Sequence, residues 1–332
     1  MCIICEEKDL SDLTEIECTN CQKLRKLPET LVSLKVLRIT NCDNLKELPD
    51  NLPSLKSLYL SGLGRLKIIK KLPSTLETIM IDECENRIEL TYIPPSLRVL
   101  VVELSNLSKI SDVLPSTLEV FRIDGWNGTF NNLKLSNLSA LTELELSFVD
   151  IIKIPIITEP IESIRIYCLK NLFELQDSFP STLKKLEITD CPKLRKLPKI
   201  TSEKMDSIII TNCHNITDIY FLPSFECEKF ICNRNDKLIS LFNIPLSLNT
   251  FYCFGNPKLL KSPENMYVID DFVFRENGFF WNDQNNTEPI IKLKKLMIKK
   301  IQRRRKVVFK KLFKTPLCRD MCNLIVDFLY TE

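Results

Sequence analysis

Two pairs of cysteines near the start of the chain have the spacing of a metal site. Cys2-x2-Cys5 and Cys18-x2-Cys21 combine into C-x2-C-x12-C-x2-C, four thiols that could hold a structural zinc. The competing reading places Cys2 and Cys5 in a short N-terminal cap and leaves the second pair as small core residues. Nothing else in the chain has the make-up of a catalytic or cofactor site. The single histidine, His214, has no serine or cysteine arranged with it as a nucleophile and reads as a turn residue. Six glycines form no phosphate-cradling loop. Carboxylates such as Glu143, Glu145 and Glu187 fall at alternating positions that face solvent. Neither catalysis nor a cofactor is expected.

The elements that must position these residues are set by an internal repeat. Leu34 opens LKVLRITNCDNLKELPDNLPS, and Leu55 opens the next copy. With the unit written L-x-x-L-x-L-x-x-C/N-x-x-L, openings fall at Leu13, Leu34, Leu55, Leu76, Leu97, Leu118, Leu141, Ile161, Leu183, Met205, Cys227, Leu248 and Ile269, 20 to 23 residues apart. Positions 4 and 6 are apolar with the period of two of a strand. One such strand cannot bury its apolar face alone, so stacked copies must share a core and pair in a parallel sheet. Position 9 is Cys or Asn in eight units, and Asn there can hydrogen-bond backbone groups where the chain leaves the sheet. Return segments carry Leu27-Pro28, Leu48-Pro49, Ile93-Pro94 and Leu197-Pro198, and Pro-Ser-Leu or Pro-Ser-Thr-Leu precedes many openings. Proline removes a donor and holds its predecessor extended, so the return side should be extended or 3₁₀. The fit is poorer in the middle, where Leu63, Ser105, Trp126, Val149 and Leu169 occupy position 9, and a bulge or small loop is expected at Trp126-Asn127-Gly128.

This recurring motif resembles the leucine-rich-repeat superfamily over about 270 residues. Its LPxSLxxLxIxxCxxLxxLP form is similar to LPxSL-type repeat proteins of giant DNA viruses of amoebae, to LPX repeats of bacterial effectors and to amoebal repeat proteins. The resemblance implies an α/β-type repeat solenoid, a horseshoe with a parallel sheet on its concave face and an extended or 3₁₀ convex side. The organisation expected is a cap over residues 1–12, about thirteen repeats over 13–286, and a helical tail over 287–332. The resemblance also implies a non-catalytic scaffold that binds a protein ligand, here a viral protein meeting host proteins.

On this frame most of the fourteen cysteines become core residues. Cys227 is position 1; Cys18, Cys232 and Cys253 are position 6; Cys21, Cys42, Cys84, Cys191 and Cys213 are position 9; Cys168 stands one residue before position 9. MCIICEEKDL has neither a basic n-region nor a long apolar stretch, so no secretory leader is expected and the thiols should be reduced in a cytoplasmic protein.

Side chains at positions 3 and 5 should point away from the core. Two apolar stretches emerge there: Tyr59, Met80, Val99, Val101 and Val120, and then Ile209, Ile231, Tyr252 and Val273. Contiguous exposed apolar surface marks a binding site; the alternative is that these are ordinary β-formers. Charge substitutions at Val101 and Met80 are accordingly expected to abolish partner capture without unfolding the chain.

Net charge is +3, unevenly spread. Residues 288–314 carry twelve Lys/Arg against one acid, leaving 34 basic and 42 acidic residues elsewhere, a net of −8. Ile290, Leu293, Met297, Ile301, Val308 and Leu312 recur at helical spacing among the basic residues, the pattern of a basic amphipathic helix. Three roles compete for it: a cover for the open end of the solenoid, a binder of nucleic acid or anionic membrane, and a nuclear-import signal at Arg303, Arg304, Arg305 and Lys306. Beyond it, PLCRDMCNLIVDFL resembles the first helix of F-box-like segments, which implies an alternative role as a substrate-recruiting adaptor for ubiquitin ligation. The chain is expected to be a monomer.

Overall fold

The computed structural model describes residues 3–6 and 10–258, apart from residues 67, 70–71, 85–87, 127–134, 158–159, 223 and several positions between 243 and 257. The Trp126-Asn127-Gly128 loop is therefore only in part within the described residues, and the thirteenth opening, Val273 and the whole basic tail lie outside them.

The described chain is a parallel solenoid. Its strands are β1 (Glu15–Thr19), β2 (Val36–Thr40), β3 (Ser57–Ser61), β4 (Thr78–Asp82), β5 (Val99–Glu103), β6 (Val120–Asp124), β7 (Glu143–Ser147), β8 (Ser163–Tyr167), β9 (Lys185–Thr189), β10 (Lys204–Thr211), β11 (Glu226–Asn233) and β12 (Thr250–Tyr252). They form one twelve-stranded sheet in sequence order, each strand parallel to the next. Ten of them begin at position 3 of the repeat; β10 and β11 start earlier. Like positions pair with like, as in Leu37↔Leu58 and Ile188↔Ile210. The register follows from the pattern: a slip by one residue would carry positions 4 and 6 of that turn out of the core.

Positions 1, 4 and 6 line a continuous core that includes Leu34, Leu37, Ile39, Leu55, Leu58, Leu100, Phe121, Leu144, Ile166, Leu186 and Phe230, all essentially inaccessible to solvent. Each such side chain contributes roughly 1.5–3 kcal/mol by leaving water. The opposite wall is extended, as the prolines require. Ile68–Ile69, Ile88–Leu90 and Leu107–Ile110 make a three-stranded parallel sheet, and Ser178–Phe179 with Lys199–Ile200, and Asp218–Tyr220 with Ser240–Phe242, make shorter pairs. A 3₁₀ turn at Leu135–Asn137 and a four-residue helix, Ile3–Glu6, are the helical elements among the described residues. That helix lies at the β1 end, where Ile4 packs on the core.

Three ladders run along the stack at the ends of the strands. Immediately before several openings, a hydroxyl crosses to the preceding turn. Thr75 Oγ1 donates to the Leu55 carbonyl at 2.9 Å, Thr117 Oγ1 to Leu97 at 2.8 Å, and Thr182 Oγ1 to Ile161 at 2.7 Å. At position 9, the Asn235 side chain accepts the Cys213 N–H at 2.8 Å, and the Asn256 side chain accepts the Asn235 N–H at 2.8 Å. Cys42 Sγ accepts the Cys21 N–H at 3.4 Å and Ser105 Oγ the Cys84 N–H at 3.0 Å, so cysteine and serine fill the same role.

The third ladder is backbone. Position 8 is left-handed in every described turn: Asn20, Asn41, Gly62, Glu83, Leu104, Gly125, Phe148, Cys168, Asp190, Asn212 and Arg234 all have positive φ. This conformation lets the position-8 N–H reach the position-7 carbonyl of the next turn, as in Asn41 to Ser61 and Asp190 to Thr211, both at 3.0 Å. Asn, Asp and Gly adopt it readily; leucine and phenylalanine adopt it at a cost. Leu104 (φ 45°) also lacks the regular ladder bond and makes only a 3.5 Å contact with Asp124 Oδ2. Leu104→Gly should therefore raise the unfolding free energy by about 0.5–1 kcal/mol, read from urea denaturation. A loss of stability would show that the Leu104 side chain holds the turn.

Candidate functional site

The concave sheet face displays positions 3, 5 and 7, and it divides into three zones. The first is apolar. Tyr59, Met80 and Val101 are register partners on β3, β4 and β5, with Val99 and Val120 beside them. Arg38 lays its guanidinium over the Tyr59 ring, 4.8 Å from the centroid, and closes the zone on the β2 side. Met80 is 36% exposed, and Tyr59, Val99 and Val120 are half-buried.

Val101 departs from the sequence expectation. It is only 8% exposed, because its short side chain stands between the longer Met80 and Arg122 on the neighbouring strands. Neighbouring strands are about 4.8 Å apart, close enough for these longer stems to cover it. A charge at Val101 would be desolvated and would strain the fold, so that position cannot separate binding from stability.

The second zone is an ion-pair network. Arg122 on β6 bonds Glu143 at 2.8 Å and approaches Glu145 and Glu103 at 3.9 Å each. Arg165 on β8 reaches Glu145 at 3.2 Å and makes a close contact with Glu143. Both arginines thus converge on Glu143 of the strand between them. The Tyr167 hydroxyl donates to Glu187 on β9, and burial first, that bond second, push its pKa well up.

Along position 7 beside this network run Asp82, Glu103 and Asp124 on three successive strands. Burial, with Glu145 next in effect, raises the Glu103 pKa, and burial raises that of Asp124. Over positions 3 to 7 of β4 to β8 there are five carboxylates and two arginines, so the zone is acidic. Just past it, on the strand-exit rim, Leu104 and Phe148 are 67% and 57% exposed, with Gly125 in the turn between them.

The third zone is Ile209, Ile231 and Tyr252, register partners on β10, β11 and β12. The first two are half-buried and Tyr252 is exposed. The two apolar stretches are thus separate zones with a charged zone between them. The rows of residue types were visible in the sequence; the convergence on Glu143 and the left-handed rim were not. The alternation Arg122, Glu145, Arg165, Glu187 along position 5 was the available signal for the former, and recurrent Asn and Gly at position 8 for the latter.

The cysteines assigned to positions 1, 6 and 9 are buried, and Cys168 is half-buried. Burial pushes the Cys227 thiol up to about 12 and raises Cys84. The thiol–thiol hydrogen bond with Cys191, together with burial, raises Cys213 well above the usual range. Such groups resist forming the thiolate that nucleophilic or ligand chemistry needs. At the N-terminus, Cys5 Sγ lies 3.6 Å from Cys21 Sγ, whereas Cys18 turns into the core 3.8 Å from Cys42 Sγ. Cys2 lies outside the described residues. Among the described residues no group of three or more His, Cys, Asp or Glu is placed to hold a metal ion. His214 sits in the turn after β10, 3.1 Å from Asp236. Among the described residues no helix is long and apolar enough to cross a membrane. Arg303, Arg304, Arg305, Lys306 and the F-box-like segment lie outside the described residues.

No family model matches the chain, and no curated protein does. Among solved structures, it is similar to a leucine-rich repeat protein from Bacteroides ovatus ATCC 8483, with 15% identity, 78% of this chain and 82% of that one covered, and a TM-score of 0.35. It is also similar to the plant peptide hormone receptor RGFR1 in complex with RGF2, with 14% identity, 72% of this chain and 61% of that one covered, and a TM-score of 0.20.

Proposed function

We propose that this chain is a non-catalytic protein-binding scaffold whose ligand lies on the concave face, anchored on Tyr59, Met80, Val99 and Val120. The observation that carries this reading is an apolar strip left partly uncovered on four adjacent strands of a sheet whose other face is fully packed. A binding surface held by rigid strands loses little entropy on association. Uncovered apolar side chains supply the desolvation that drives it. The likeness of the repeat to those of giant DNA viruses extends the reading to a viral protein that engages host proteins in the host cytoplasm.

Met80→Glu together with Tyr59→Glu should abolish capture of the protein ligand, tenfold or more, when tagged full-length chain is used for affinity purification from its native cell. Both side chains are accessible enough that the melting temperature should stay within a few degrees of the parent chain. Undiminished capture of the same protein by the double variant would remove this surface from consideration.

A further inference from the structure

The concave face offers a definite chemistry to an occupant. On one side is the row of Asp82, Glu103 and Asp124, with Glu143 and Glu145 behind it and only Arg122 and Arg165 in compensation. On the strand-exit rim, Leu104 and Phe148 stand exposed on either side of Gly125, two turns apart, so roughly 10 Å separates them. The absent side chain at Gly125 leaves a notch between two apolar posts. Both posts are non-glycine residues held in left-handed backbone, a costly placement for large apolar groups left mostly exposed. An occupant that fits presents positive charges to the carboxylates and, in the same short stretch, an apolar side chain to the notch.

The chain carries such a segment. Residues 289–314 have twelve Lys/Arg and no acid, interleaved with apolar residues at helical spacing. Even counted from a thirteenth turn, roughly 34 Å separates the end of the stack from β6, and the 26 residues of 289–314 can reach roughly 85 Å when extended. A tethered segment meets its site at an effective concentration in the millimolar range, so modest affinity suffices.

We propose that the basic segment 289–314 docks in cis on the acidic zone of the concave face, with Asp82, Glu103 and Asp124 receiving its charges and an apolar side chain seated between Leu104 and Phe148. This rests on the reading of the concave face as a protein-binding surface. It makes the tail an internal competitor for the ligand, one displaced when the ligand binds.

Zero-length carbodiimide crosslinking of the full chain, read by mass spectrometry of the monomer band, tests it. Amide bonds should form between Glu103 or Asp124 and lysines of 292–314. Arg303→Glu, Arg304→Glu and Arg305→Glu together leave every lysine in place and should reduce these crosslinks at least fivefold. Leu104→Gly with Phe148→Gly leaves all reacting groups and should reduce them at least threefold. Wild-type yield in the arginine variant, crosslinks confined to a dimer band, or no crosslink at Asp82, Glu103 or Asp124 would each overturn the proposal. The same arginine variant should capture several-fold more protein ligand. If crosslinks are absent while Met80-dependent capture persists, tail docking fails and the scaffold reading stands. If crosslinks form but no Met80-dependent capture exists in either chain, the scaffold reading fails instead.

Discussion

Replacing Asn235 with alanine should lower the unfolding free energy by about 3 kcal/mol, the largest loss expected from any single polar side chain in the solenoid. Asn235 is fully buried, and its side chain acts as both acceptor and donor toward the preceding turn. Its Oδ1 accepts the Cys213 N–H at 2.8 Å, and its Nδ2 donates to the Ile210 carbonyl at 3.1 Å. Alanine would leave both groups in a dry core, at roughly 1–3 kcal/mol for each buried group left without a partner. Asn235→Cys should lose about half as much, since a position-9 thiol can take both roles. Cys42 Sγ accepts the Cys21 N–H and lies 3.7 Å from the Cys18 carbonyl, with the long, weak geometry of sulfur. Asn235→Asp keeps the acceptor but buries a charge, and should be at least as damaging as alanine at neutral pH. Urea denaturation gives the ranking. Hydrogen exchange should place the loss in β10, β11 and β12, because turns of a solenoid couple to their neighbours. An alanine variant within 0.5 kcal/mol of the parent would mean that the ladder is dispensable.

The same residue shows why so much of the fold is legible in the sequence. A short repeat forces position to carry structure: every residue at position 4 or 6 faces the core because its counterpart one turn away does. The openings at Leu34, Leu55 and Leu76 therefore set strand bounds, register and sheet order together. The prolines at Pro94 and Pro198 excluded helix from the return wall, where short parallel strands and, among the described residues, one 3₁₀ turn stand instead. The backbone state of position 8 was less legible. Asn20, Asn41, Gly62 and Asn212 announce a left-handed residue, but Leu104, Phe148 and Arg234 adopt the same φ because the neighbouring turns impose it. Tertiary context overrides local preference there, and composition cannot report that. The Pro-Ser-Thr-Leu segments were legible as turns; that Thr75 and Thr117 also bond the preceding turn depends on contacts between residues some 20 apart.

The surface was legible as types and not as exposures. Alternation assigns Val101 to the concave face, and β5 does place it there, yet its neighbours cover it. Coverage depends on the lengths of side chains two strands apart in sequence, here Met80 and Arg122. The charged zone has the same origin: Glu143 belongs to position 3 and Arg122 and Arg165 to position 5, so their convergence crosses rows that a linear reading keeps separate.

That convergence yields the second large effect. Arg122→Met combined with Arg165→Met should lower the unfolding free energy by about 2–3 kcal/mol in low salt, and each single change should cost clearly less than half of that. The reason is the position of Glu143 between the two guanidinium groups. Its side chain is 20% exposed, so water screens it poorly, and Glu145 on the same strand is equally enclosed. With one arginine removed, the other still pairs with Glu143, at 2.8 Å in the case of Arg122. With both removed, Glu103, Glu143 and Glu145 face one another across three strands without a counter-ion. Methionine preserves most of the aliphatic stem that covers Val101, so the loss reports charge rather than packing. Adding Glu143→Gln should restore at least half of the stability, because an amide at the centre lowers the repulsion while keeping hydrogen-bonding capacity. If the double variant melts with the parent chain, or if Glu143→Gln deepens the loss, then the arginines act as separate surface pairs worth a few tenths of a kcal/mol each. In that case the acidity of the concave centre would be a property of Asp82, Glu103 and Asp124 alone.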